Sequence, residues 1–239
     1  MTAYVIIPGI DGSDGQHWQT LWERQWGTSA VRIRPASWSA PDLDDWVDAV
    51  QEAYDDASRR EGQVVLVAHS LGCWAASAWL NKNPSSPTGG AFLVAPPDPR
   101  GPAFPRRAAA TFLEVSAQPL PCPALVVGSA DDPYCTPEAA AGFAARWEAR
   151  WHPAAARTHQ LRRRPGLVGT GPRAPGLIDP ALISHRLDAS PPPRLAAPVR
   201  GRGHAPAWAR TRSGRFEGGL HRVFCGFHDD RRTGSALTP

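Results

Sequence analysis

Cysteine is scarce and carries no pattern in this chain. The four cysteines, Cys73, Cys122, Cys135 and Cys225, form no C-x-x-C pair and have no histidine at zinc-finger spacing. That excludes a zinc module and leaves free thiols in a reducing compartment as the expectation. Long apolar runs are also missing: nothing approaches the ~20 residues of a membrane span. The opening text, MTAYVIIPG, has no basic n-region and too short an apolar stretch for a secretory signal. A soluble cytoplasmic protein without membrane contact is the expectation. There is no G-K-[ST] and no G-x-G-x-x-G, so the sequence argues against a phosphate cradle. Lysine is absent from residues 152–239.

What is present divides unevenly along the 239 residues. Residues 1–151 carry 11 Lys and Arg against 17 Asp and Glu, and residues 152–239 carry 15 Arg against 5 acids, so the formal charge of +4 averages a balance of −6 with one of +10. In residues 152–239 only 16 of 88 are Leu, Ile, Val or Phe, while 22 are Pro or Gly. Those fractions belong to chains that cannot bury a core. The sequence therefore predicts a folded domain over 1–151 and an irregular, Arg/Pro/Gly-rich tail over 152–239, without tertiary contacts from about 170 onward.

Within the first segment, apolar runs and helical stripes alternate. Tyr4–Pro8, Val31–Arg34, Val64–Ala68, Ala91–Ala95 and Ala124–Val127 read as strands. Trp18, Leu21, Trp22 and Trp26 share one helical stripe, and Leu43, Trp46, Val47, Val50 and Tyr54 another. The tryptophans read as core, not as a base-stacking platform. Further helices are predicted over about Leu71–Asn81 and Pro137–Arg150. The Pro-rich residues 96–121 leave room for a short helix near 106–117 and for a cap over a site. This alternation predicts an α/β fold with a doubly wound, mostly parallel sheet.

The strongest motif is VVLVAHSLGCWAA, a buried strand, a tight turn and a helix with Ser70 at the turn. Ala68-His69-Ser70-Leu71-Gly72 is a variant of G-x-S-x-G with alanine in the first glycine position. Small flanking residues let the strand and helix approach, which lifts the Ser70 hydroxyl above the sheet edge. The Leu71 N–H, at the helix N-terminus, then faces a developing oxyanion. A second donor is expected from the loop after the first strand, PGIDGSDG, where Ile10 is best placed. His69, adjacent to Ser70 on so sharp a turn, reads as a packed histidine and not a base. The acid of a Ser…Asp…His order is expected after a late strand. The segment VVGSADDPYC supplies Asp131 and Asp132 there; Asp132 is favoured as the acid and Asp131 as a cap of the turn.

These stretches together, VIIPGIDGSDGQHWQTLWE, RPASW, PDLDDWV, VVLVAHSLGC, FLVAPPD and VVGSADDPYC, resemble the small serine hydrolases of the retinoblastoma-binding-protein family. The resemblance runs over residues 3–151. It implies a compact α/β-hydrolase with a nucleophile at Ser70, an acid at Asp132 and a histidine in a Gly-His-Ile-Asn motif after the next strand. That motif is not in this chain. Residues 157–161 read Arg-Thr-His-Gln-Leu, which puts His159 near the expected position without the flanking Gly or Ile-Asn. Written as CGG ACA CAU CAA CUC and shifted by one base, the same stretch reads Gly-His-Ile-Asn. We therefore read residues from about His152 onward as an out-of-frame translation.

The reading that follows is a serine hydrolase acting on small acyl substrates, esterase-like, through Ser70, Asp132 and His159 with Ile10 and Leu71 as oxyanion donors. It implies no metal and no organic cofactor. The alternative is a catalytically inactive α/β-hydrolase-fold protein that binds a protein partner. Nucleic-acid binding by the Arg-rich tail is disfavoured, because the arginines form no helical stripe and no binding motif accompanies them.

Overall fold

The chain's structure, a computed structural model, describes residues 2–60 and 62–154. Six strands hydrogen-bond into one sheet: β1 (Thr2–Ile7), β2 (Ala30–Arg32), β3 (Gln63–His69), β4 (Thr88–Val94), β5 (Ala124–Ser129) and β6 (Arg150–Ala154). Their order is β2-β1-β3-β4-β5-β6, and every pairing is parallel. Four helices connect them: α1 (Trp18–Trp26), α2 (Leu43–Arg60), α3 (Leu71–Lys82) and α4 (Pro137–Arg146). The doubly wound α/β fold expected from the alternation is the observed one.

Side-chain alternation on the strands builds two cores. Ala3, Val5, Ile7, Leu66, Ala68, Leu93 and Val126 face α2, α3 and α4. Ile6, Val65, Val67, Phe92, Val94, Leu125 and Val127 face the other way, where Trp18 and Trp22 of α1 pack. Successive strand residues point to opposite faces, so central strands buried on both faces must be apolar throughout. The two tryptophan stripes fill core as expected: Trp18, Trp22 and Trp46 are buried, and Trp26 stacks on Tyr4 with centroids 3.9 Å apart. Each such side chain contributes about 1.5–3 kcal/mol or more by burial.

Local chemistry sets the helix starts. Asp42 accepts from the backbone N–H groups of Asp44 and Asp45, both at 3.1 Å, and caps α2. Thr136 accepts from Ala139 N at 3.2 Å to cap α4, with Pro137 in its first turn.

Two expectations change. No helix forms across 106–117; the segment holds only a three-residue 3-10 turn, Ala110–Phe112. Its buried anchors, Phe104, Ala109, Phe112 and Ala117, are spaced too irregularly for one helical face, and they sink into the core under α2 instead. The expected boundary at 151 also falls inside an element, because β6 continues through His152 and Pro153 to Ala154, paired with Ser129. An edge strand accepts a proline and needs no strict apolar alternation. The irregular tail expected over the remaining residues lies outside the described residues.

β1 leads to β2 on one side, and β3 then returns to the other side of β1. The connections after β1 and β3 therefore diverge at the C-terminal edge of the sheet. Such a switch point leaves a crevice where α/β proteins place their ligands.

Candidate active site

Ser70 is the single residue between the end of β3 and the start of α3. Its backbone has φ 54° and ψ −128°, a left-handed conformation that costs a non-glycine residue about 1–3 kcal/mol. Neighbours hold it there. Ser70 N donates to Val94 O at 2.9 Å, and Ser70 O accepts from Cys73 N at 3.0 Å. Close packing explains the small residues of the motif. A Cβ on Gly72 would lie 2.3 Å from Ile7 O and 2.4 Å from Pro8 O. Ala68 takes the other small position, fully buried on the strand.

The loop after β1 runs directly beside this turn. A Cβ on Gly9 would stand 2.6 Å from Ser70 Cβ and 3.0 Å from Ser70 Oγ, so only glycine fits. Ile10 follows at once, half-buried against the core under the helices. The loop then turns back through Asp11 and Gly12, at φ 61° and 73°. Gly12 N donates to Gly9 O at 3.0 Å, and Asp11 N to Trp38 O at 2.9 Å. The structure thus brings Ser70, Leu71 and the Gly9–Ile10 segment together. His69 is buried, its ring 4.7 Å from that of His17 and 6.1 Å from that of Trp18, a packed histidine as expected.

One residue of this region escaped the sequence reading. Gln19 is fully buried, and its Nε2 donates to Ile7 O at 3.2 Å and to Val67 O at 3.0 Å. Its Oε1 accepts from Ser13 Oγ at 2.8 Å. The available signal was spacing: Gln19 lies three residues before Trp22 and so shares the inward stripe of α1.

Asp131 and Asp132 follow β5, whose residue Val127 accepts from Ala95 N at 2.7 Å just beyond β4. β4 therefore separates the Ser70 turn from the Asp132 loop along the same C-terminal edge. Asp131 is exposed and Asp132 half-buried. Asp132 Oδ1 accepts from Tyr134 N at 2.9 Å, a bond across the turn that the favoured acid itself makes. Tyr134 O in turn accepts from Asp98 N at 2.9 Å, joining this loop to the one after β4. His159 lies outside the described residues.

Burial pushes the Cys73 thiol well above its ordinary range. It pushes Cys122 and Cys135 up to about 12, with the charges of Asp132 and Asp98 adding to the rise at Cys135. These three thiols stay protonated at neutral pH and are poor nucleophiles beside a serine. Among the described residues, no group of His, Cys, Asp and Glu could hold a metal, and no helix is long and apolar enough to cross a membrane. A cavity of about 510 Å³ opens between residues 98–118 and α4, lined by Trp74, Asp98, Arg100, Val115, Phe143 and Arg146 among others. Neither Ser70, Ile10, Leu71 nor Asp132 lines it.

A parallel sheet of this order, with a serine on a strained strand-to-helix turn, defines the α/β-hydrolase class. The chain belongs to the serine hydrolase family, whose model matches residues 4–163. It is similar to a YdeN-like hydrolase of Pectobacterium atrosepticum, with 29% identity, a TM-score of 0.55, and 64% of this chain and 76% of that chain covered. It is also similar in fold to Est1E of Butyrivibrio proteoclasticus, solved with ferulic acid, at 12% identity and a TM-score of 0.50, over 64% and 79% of the two chains. The ydeN gene product of B. subtilis is 20% identical over 65% of this chain and 85% of that one, with a TM-score of 0.46. No curated protein matches the chain.

Proposed function

We propose that the chain hydrolyses small acyl esters through Ser70, in the manner of a carboxylesterase. One observation carries the reading: Ser70 alone joins β3 to α3, in a strained left-handed conformation enforced by Gly72 and faced by Gly9. Strain retained at one residue by tight packing on every side marks a functional turn. In the step we assign, Ser70 Oγ attacks the acyl carbon while a histidine takes its proton. The carbonyl oxygen becomes an oxyanion between the N–H groups of Ile10 and Leu71. The leaving alcohol receives that proton, and water then releases the acid by the same route in reverse. Asp132 orients the histidine and stabilises its cationic form. Its other bond, to Tyr134 N, fixes the carboxylate at the sheet edge.

His159 is the histidine we assign. It lies 27 residues after Asp132, about where the resemblance expects the histidine, which supports that choice. The subfamily we assign is the retinoblastoma-binding-protein-like one, and we place a change of reading frame near the end of β6. The support is that Arg157–Leu161 can be written in codons that read Gly-His-Ile-Asn one base on. An uninterrupted gene with no Gly-His-Ile-Asn in the neighbouring frame would remove the frameshift. The missing motif favours a second reading, a hydrolase-fold protein that binds a protein partner without turnover.

A fluorophosphonate probe separates the two. Under the first reading it forms an adduct on Ser70, and His159→Ala slows that reaction by orders of magnitude; loss of a triad base costs about a million-fold in turnover. A folded chain that forms no adduct supports the second reading, and labelling unaffected by His159→Ala removes His159 as the base.

A further inference from the structure

We infer that Gln19 is a positioning residue for the oxyanion site. The inference rests on the reading of Ser70 as nucleophile and of Ile10 as a donor. Ile7 O and Val67 O sit at the C-terminal ends of β1 and β3, the two strands that part at the switch point. Both carbonyls can only accept, so the amide nitrogen of Gln19 must face them, and its two hydrogens are consumed at 3.2 and 3.0 Å. The amide oxygen is thereby turned toward the loop, where Ser13 Oγ donates to it at 2.8 Å.

One buried amide thus ties together three things. It fixes the strand end from which the Gly9–Ile10 segment departs. It fixes, at Val67, the strand that ends at His69 and leads directly into Ser70. It also fixes the far limb of the loop itself. The adjacent Thr20 reinforces that limb, donating through Oγ1 to Ser13 O at 3.1 Å. An oxyanion donor works only when its N–H is already aimed, at 2.7–3.1 Å, where the charge will develop. Gly9 touches Ser70 in this structure, so a shift of the β1 end relative to β3 moves the Ile10 N–H against Ser70 directly. A leucine or methionine at position 19 would fill the space and still pack on the tryptophans. It could not bridge the two carbonyls.

The test compares the full chain with Gln19→Met and Ser13→Ala, each first shown to unfold cooperatively. Two readouts are taken: backbone amide shifts and exchange for Gly9–Ser13, and the kinetics of fluorophosphonate inactivation. Gln19→Met is expected to move the loop amides and speed their exchange while those of Ala75–Leu80 stay put. The limiting inactivation rate should fall at least tenfold with the probe's half-saturating concentration within about twofold. Ser13→Ala, at a half-buried and more tolerant position, should act in the same direction by a few-fold. It carries the test on its own where Gln19→Met does not fold. Loop amides unchanged in a folded variant would overturn the inference, as would moved amides with an unchanged limiting rate. A wild-type chain that never reacts defeats the proposed function instead, and its loop amides still decide whether Gln19 orders the loop.

Discussion

The loops after β1 and after β5 sit on the same edge of the sheet and are built differently. The first is braced from several directions: by Trp38 O on Asp11 N, by Gly9 O on Gly12 N, by Gln19 on Ser13 and by Thr20 on Ser13 O. The second turns through Asp131, Pro133 and Tyr134, all exposed, with Tyr134 N donating to Asp132 and Tyr134 O accepting from Asp98 N. Under the proposed function the contrast follows from what each loop would do. Oxyanion donors are backbone groups and can be aimed only by fixing the backbone. An orienting carboxylate needs only a side chain at the right edge.

Breaking the Ser70 turn has the largest effect. Ser70→Ala removes the proposed nucleophile, and esterase activity should drop by about a million-fold while the fold persists; steady-state assays with circular dichroism check both. On the other side of the comparison, Asp132→Asn should lower kcat by about ten-thousand-fold, and Asp131→Asn hardly at all. Equal losses from the two would show that the carboxylate assignment is wrong.

Much of this contrast was legible in the sequence. VVLVAHSLG announced a strand, a sharp turn and a helix because β-branched runs and small flanking residues leave few alternatives. The tryptophan stripes announced α1 and α2 for the same local reason. The rest depended on partners far along the chain. Nothing near Gln19 shows that two strand ends will need its amide. Nothing near Ala109 or Phe112 shows that a Pro-rich segment will bury them without a helix. That Asp132 would accept from Tyr134 N depended on how the loop folds back after β5.

Stability sharpens the comparison at a smaller scale. Gly72→Ala would press a methyl group 2.3 Å from Ile7 O and 2.4 Å from Pro8 O, so it should cost about 3 kcal/mol or more in denaturant unfolding. Asp131→Ala, on an exposed turn, should change stability by about 0.5 kcal/mol or less.

The smallest effect concerns the thiols. Cys73 follows Ser70 on α3 and Cys135 follows the Asp132 turn, and burial raises both pKa values, that of Cys135 to about 12. A raised thiol pKa withholds the reactive thiolate, so alkylation by iodoacetamide in the native chain should stay slow at pH 8. It should still be rising beyond the ordinary cysteine range, near pH 10. Unfolding restores ordinary thiols, so stability falls as pH climbs from about 9 toward 12. Peptide mass mapping with and without denaturant checks this.

The most direct measurement is a crystal structure of the chain after reaction with diethyl p-nitrophenyl phosphate. A phosphoryl group on Ser70 Oγ, its oxygen about 2.7–3.1 Å from the N–H groups of both Ile10 and Leu71, is the expected result. A folded chain with no adduct, or an adduct whose oxygen points away from both donors, would contradict the reading of this turn as a catalytic one.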